Sequence, residues 1–220
     1  MVKIALITMK GGSGKTTLAL CLAAYWHKMG RKVGFIDTDP AATAWRLSKI
    51  GDRFRGLPFA TAENISFEEK ILAFNKTGLE RVLIDTPGFE SSVLAKAIDL
   101  ADCILIPIRP SPIDFQVAID SFNLIQRSVK SGNSNKIIRF VLTQSNNTSL
   151  IARQIRSDME DAGFLMFSQL ISSRVIYAES ILSGTTPSFS QPNSKASFEI
   201  ANLAKEIDKE LKKHTNFQRG

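Results

Sequence analysis

The chain is poor in the residues that build disulfide frameworks and metal clusters. It has only two cysteines, Cys21 and Cys103, one in a helical pattern and one in a strand pattern. Two such residues read as reduced thiols in a core, as in a cytosolic protein, and not as a cross-link. The two histidines, His27 and His214, lie far apart in the sequence, so no histidine-based metal cluster is expected. No apolar run approaches the length of a membrane span. The first run, Val2 to Thr8, covers seven residues, too short for a span or for the apolar core of a secretory leader. No internal repeat, low-complexity tract or linker stands out. Acidic residues are also short: 21 against 28 basic ones, a formal net charge of +7. Apolar residues make up 44%, which is normal for a globular chain and excludes a disordered one. One domain spanning residues 1–220 is expected.

Against these absences stands one dense motif. Residues 10–17 read Lys-Gly-Gly-Ser-Gly-Lys-Thr-Thr, directly after the apolar run and before the helix-forming stretch Leu18 to Trp26. Strand, glycine-rich loop and helix in that order make a phosphate-binding loop. Gly11, Gly12, Ser13 and Gly14 let backbone N–H groups turn inward around phosphate oxygens, and the helix N-terminus points its positive end at them. Lys15 is placed to reach the β and γ phosphates, Thr16 to hold Mg²⁺, and Thr17, next in the first helical turn, to bind the nucleotide with them. The general pattern asks for glycine at position 9, where this chain has Met9. It carries a second lysine, Lys10, at the front of the loop.

Other strand ends supply carboxylates. Lys32 to Pro40 reads as a strand ending in Asp37 and Asp39; alternate residues face opposite sides, so the two carboxylates have different tasks. Arg81 to Gly88 is a buried strand ending in Asp85, where a carboxylate supports Mg²⁺, followed by Gly88, whose N–H is placed to approach a γ-phosphate. A further strand, Ala101 to Ile108, leaves through Pro107, Pro110 and Pro112 into a turn capped by Ser111 or Asp114. The guanine-reading pattern N-K-x-D is absent. Asn75-Lys76-Thr77-Gly78 and Asn135-Lys136-Ile137-Ile138 both lack the aspartate, so ATP is the expected nucleotide. The end of Phe140 to Asn146 is positioned to reach the base.

The Lys10–Thr17 loop closely resembles that of the ParA/MinD/nitrogenase-iron-protein group of dimerising, deviant-Walker ATPases. The resemblance runs through nearly the whole chain and is most specific in residues 2–40 and 81–115. It implies that Lys10 contacts the nucleotide held by the second subunit of an ATP-bound homodimer, that Asp39 orients the attacking water, and that Asp37 supports the magnesium and phosphate shell. Where the group commonly has glutamine after the proline, this chain has Ala41. Arg174-Val175-Ile176-Tyr177-Ala178-Glu179, with Gly184 after it, resembles a late stretch of small partition ATPases. With the loop starting at residue 10, no room is left for the N-terminal helix-turn-helix of larger partition ATPases, so sequence-specific operator binding is not expected.

The resemblance implies nucleotide-gated, nonspecific DNA binding, cytoplasmic and nucleoid-associated localisation, and slow ATP hydrolysis stimulated by a ParB-like protein or cargo adaptor. Between Ser121 and Ser157 lie Arg127, Lys130, Lys136, Arg139, Arg153 and Arg156 with no acidic residue, and Lys195, Lys205, Lys209, Lys212 and Lys213 follow. Such charge binds phosphate backbones by counterion release, or serves as a solvated face. Lys195, in Pro192 to Ala196, resembles the position of a DNA-contacting residue; Arg174 is the second candidate. Phe198, Ala201, Ala204, Ile207 and Leu211 recur at helical spacing, which marks a helix packed on its own core and not a MinD-like membrane anchor. A small-molecule metabolic ATPase or ligase of the same fold, or a membrane-associated MinD-like positioning ATPase, is the alternative function. An iron–sulfur reductase is excluded by the placement of the two cysteines.

For the fold, strands near 2–8, 32–37, 81–85, 103–108, 137–143 and 164–170 alternate with helical patterns. This predicts an α/β, doubly wound, mostly parallel sheet with helices on both faces, and an extra edge strand over Leu57 to Ala60.

Overall fold

The computed structural model describes residues 1–61, 66–129, 136–146 and 148–217. Lys130 of the basic run and Asn135 lie outside the described residues. The chain runs β1 (Val2–Leu6), α1 (Lys15–Lys28), β2 (Val33–Asp37), α2 (Thr43–Leu47), β3 (Phe59–Thr61), α3 (Phe67–Asn75), β4 (Arg81–Asp85), α4 (Ser92–Leu100), β5 (Cys103–Ile108), α5 (Pro112–Val129), β6 (Ile137–Leu142), α6 (Leu150–Asp161), α7 (Val175–Leu182), α8 (Pro187–Ser190) and α9 (Lys195–Phe217). The strands form one sheet in the order β3-β2-β4-β1-β5-β6, and every pairing is parallel.

Strand periodicity sorts the core into two layers. Ile4, Leu6, Phe35, Leu83 and Leu105 face α1, α7 and α9. Ala5, Ile7, Ile36, Ile84, Ile104 and Ile106 face the layer of α3 to α6. With both faces covered, the central strands read as continuous apolar runs; β5 is buried along its whole length. Helix α1 is buried from Leu18 to Ala24 because it lies between the sheet and α9. The α9 side is contributed by Ile200, Leu203, Ala204 and Ile207, so this helix does pack on its own core. Phe198, predicted within the stripe, is exposed.

Two expected strands are corrected. The edge strand forms at Phe59–Thr61, later than Leu57 to Ala60. No regular strand forms over 164–170. The segment touches β6 through an isolated bridge between Phe140 and Met166. The Phe140 carbonyl accepts from Phe167 N–H and the Leu142 carbonyl from Ile171 N–H. Two residues of β6 are thus matched by four of the neighbouring segment, and the excess bulges out of the ladder. Glu206 of α9 accepts the freed Ser168 and Gln169 N–H groups at 2.8 and 3.1 Å.

The sheet order carries the functional consequence. From β1 the chain crosses to β2 on one side, and β5 lies on the other. The loop after β1 therefore sits where the crossovers diverge, which is where open α/β sheets bind ligands. Register places Asp85 beside Leu6 and beside Asp37, so two carboxylates distant in sequence reach the same level under that loop.

Candidate nucleotide-binding site

The loop after β1 holds Gly12 at φ 76° and Gly14 at φ 90°, with Gly14 as the N-cap of α1. Left-handed glycines on either side of Ser13 let successive N–H groups turn to one side of the loop. Side chains from outside the loop hold it. Ser121 Oγ of α5 accepts the Met9 N–H at 3.0 Å, so the position lacking glycine is anchored from α5. Thr143 Oγ1 donates to the Ser13 carbonyl at 2.9 Å, and Gln144 Nε2 to the Gly12 carbonyl at 2.9 Å.

Lys15 folds into the cradle and is buried. Its Nζ donates to the Lys10 carbonyl at 3.0 Å and weakly to Thr8. Burial lowers its pKa, against the pull of Asp85 and Asp39. Asp85 is buried at the foot of the cradle. Burial pushes its carboxyl up to about 7, opposed by a hydrogen bond from Thr16, and its Oδ1 has no hydrogen-bond partner among the described residues. Asp37 differs. Its Oδ1 accepts from Asp39 N–H and its Oδ2 from Trp45 N–H, both at 3.1 Å, so it ties the turn after β2 to α2. Burial raises its pKa as well. Asp39 is half-buried and closes a turn by accepting the Ala41 N–H at 2.8 Å.

Gly88 lies against the loop. A Cβ there would stand 2.9 Å from both Gly11 N and Lys10 C. Only glycine permits this approach between the β4 exit and the phosphate loop. Lys10 itself turns to α5, with Nζ 2.8 Å from Asp114 Oδ1. Arg109 and Ser111 also donate to Asp114. Burial alone would raise Asp114, but these partners outweigh it and hold the carboxyl below its ordinary value. Ser111 Oγ also accepts the Asp114 N–H at the start of α5.

A cavity of about 240 Å³ adjoins the cradle, lined by Gly14, Thr17, Thr143, Gln144, Ser173 and Arg174 among others. Its floor is a buried network. Glu199 accepts from Arg174 at 2.8 Å, Ser172 Oγ at 2.7 Å and Tyr177 at 3.0 Å. Arg174 is thus committed to an ion pair inside the chain, while Lys195 is exposed at the start of α9. The basic run disperses. Arg139 pairs with Glu210, Arg156 donates to the Phe167 and Ser168 carbonyls, and Lys136 donates to the Ala101 carbonyl near the start of β6. Both cysteines are free thiols buried in the core; Cys103 is pushed up to about 12 by burial.

Sequence reasoning gathered Lys10 to Thr17, Asp37, Asp39, Asp85 and Gly88, and the structure brings them to one end of the sheet. It assigned the end of Phe140 to Asn146 to the base but missed that Thr143 and Gln144 there bond to the loop, and it missed Ser121. The signal for the first two was their place directly after β6; none marked Ser121.

The comparisons agree with this fold. A protein for maintenance of carboxysome distribution (protein A) from Gloeobacter kilaueensis is 28% identical over 96% of this chain and 95% of its own length. The MinD cell division protein of Aquifex aeolicus superposes with a TM-score of 0.75, at 19% identity, covering 94% of this chain and 97% of that one. The septum site-determining protein MinD of Pyrococcus horikoshii, complexed with Mg-ADP, gives 0.73 at 18% identity, covering 97% and 98%. The family described as the CobQ/CobB/MinD/ParA nucleotide binding domain matches residues 4–187, and the chain belongs to it.

Proposed function

We propose that the 220 residues act as one ATPase domain: an ATP-driven dimerising switch that positions DNA or other cargo through nucleotide-gated, nonspecific DNA binding. The observation that carries this reading is the backbone contact of Gly88 with Lys10 and Gly11. It sets the segment after Asp85 against the lysine that distinguishes this loop, and in this reading a change at one is passed to the other. In this reading Gly11 to Thr17 and Gly88 hold the phosphates and the adjoining cavity takes the nucleoside. Lys15 neutralises phosphate charge, Asp39 aligns water, and Lys10 serves the second subunit.

The residues fit magnesium. Asp85 offers an unpartnered buried oxygen beside Thr16, and Mg²⁺ in phosphate sites uses one or two carboxylates with phosphate and water. Among the described residues no group of three His, Cys, Asp or Glu could form an all-protein metal cage. Asp37, both of whose oxygens are engaged, supports that shell from behind. When bound, the ion would neutralise charge on the phosphates.

For DNA, Lys195 and the α9 lysines Lys205, Lys209, Lys212 and Lys213 supply exposed charge. Two copies in a dimer would add weak contacts through effective concentration. Among the described residues no helix is long and apolar enough to cross a membrane; the reading places the protein in the cytoplasm on the nucleoid. Hydrolysis is slow and is accelerated by a partner protein of the cargo system. Size-exclusion chromatography with ATP, ADP or no nucleotide tests the reading, alongside phosphate release. A dimer is expected with ATP alone, with slow turnover; a monomer in all three conditions overturns it.

A further inference from the structure

Phosphate-loop N–H groups face inward only if the loop's carbonyls face outward, and outward carbonyls need partners. Here two consecutive residues after β6 provide them. Thr143 Oγ1 donates to the Ser13 carbonyl and Gln144 Nε2 to the Gly12 carbonyl. Thr143 is buried. Gln144 holds its amide there at a backbone cost: its φ is 48°, a left-handed conformation unusual for a side-chain-bearing residue. The strained backbone and the amide bond occur at one residue, and the strain is retained where glycine would relieve it.

We infer that Thr143 and Gln144 are positioning residues that preorganise the phosphate cradle, setting the affinity for the diphosphate and not for the nucleoside. The inference rests on the nucleotide-binding reading above. It differs from a nucleoside-contact role, which the lining of the adjoining cavity by the same residues also suggests. The mechanism is electrostatic preorganisation. With the two carbonyls held back, the N–H dipoles are already aimed at the anion when it arrives and need no reordering.

The test separates phosphate from nucleoside. Magnesium pyrophosphate fills the cradle alone; Mg-ADP fills cradle and cavity. Gln144→Gly removes the amide and relieves the left-handed backbone, so its melting temperature should hold or rise. Thr143→Val removes one donor, and Thr143→Ser restores it. Each of Gln144→Gly and Thr143→Val should weaken pyrophosphate and ADP by the same factor, about five- to tenfold, and Thr143→Ser should recover most of the loss. Should Thr143→Val fail to fold, Gln144→Gly carries the test. Unchanged pyrophosphate affinity in folded Gln144→Gly overturns the inference, as does a loss confined to ADP. Wild-type protein that binds neither ligand overturns the nucleotide-binding reading itself.

Discussion

Lys10 Nζ stands 2.8 Å from Asp114 Oδ1, with the lysine side chain 30% exposed and the aspartate 6%. Within one chain, therefore, the lysine at the front of the loop is answered by a residue of α5. Asp114 does not depend on it, since Arg109 and Ser111 donate to the same carboxylate. Lys10 can leave for another partner without stranding a buried charge.

Lys10→Ala should then cost little stability, under about 1 kcal/mol, because the buried acceptor stays satisfied by Arg109 and Ser111. Nucleotide binding by the monomer should persist, because Lys15 and the loop N–H groups are untouched. The ATP-dependent dimer should be lost or reduced severalfold. Calorimetry for ADP and size-exclusion chromatography with ATP read the two effects separately. A normal dimer with normal turnover would make Lys10 a bystander.

Asp39→Ala should slow hydrolysis by about 10²-fold or more while sparing ATP binding, and so accumulate the ATP-bound dimer. A carboxylate that aligns water contributes in the transition state more than in the ground state. Asp39 is half-buried near Lys15 and Asp85, and its structural duty is a single turn bond to Ala41. Single-turnover phosphate release is the measurement; wild-type rates would remove Asp39 from the mechanism.

Glu199, beneath the cavity that adjoins the cradle, gives a pH signature of its own. Burial would raise its pKa, but hydrogen bonds from Arg174, Ser172 and Tyr177 outweigh that and hold it below the usual carboxylate value. A depressed folded-state pKa contributes stability that is present above the unfolded pKa and lost as pH falls through the folded one. Glu199→Gln should therefore destabilise the protein by about 2 kcal/mol near neutrality, less than a fully buried pair because Arg174 keeps 31% of its side chain exposed. The gap should narrow as pH drops below about 4. Urea titrations from pH 3 to 7 test this, and a gap that ignores pH would contradict it.

How much of this was legible in the residues follows their physics. That Lys10 to Thr17, Asp85 and Gly88 meet at one end of the sheet was readable because each segment directly follows an apolar parallel strand. The parallel sheet was readable because strands covered on both faces become apolar runs, as in β5. The segment 164–170 reads as another such run, yet its register against β6 breaks by two extra residues, which composition does not reveal. Partnering was equally hidden. Arg174 looks like a free cation until Glu199, 25 residues on, folds beneath it. The supports of the loop, Ser121 and Gln144, come from over 100 residues away.

That difference between Arg174 and Lys195 separates two variants in a DNA assay. Lys195 is exposed at the start of α9, where the helix's positive end adds to its own charge. Lys195→Glu should weaken binding of random-sequence duplex by the ATP-bound dimer severalfold and flatten its salt dependence, because fewer counterions are released per complex. Its melting temperature and ATP affinity should not move. Arg174→Ala should behave oppositely: it leaves the buried Glu199 carboxylate without its ion-pair partner, so it should lower the melting temperature first and affect DNA only through that loss. Filter binding across a salt series with ATP, ADP and no nucleotide, set beside thermal melts, distinguishes them. Salt-insensitive binding, or binding that ignores nucleotide state, would sink the DNA-gated switch and favour a small-molecule ATPase of the same fold.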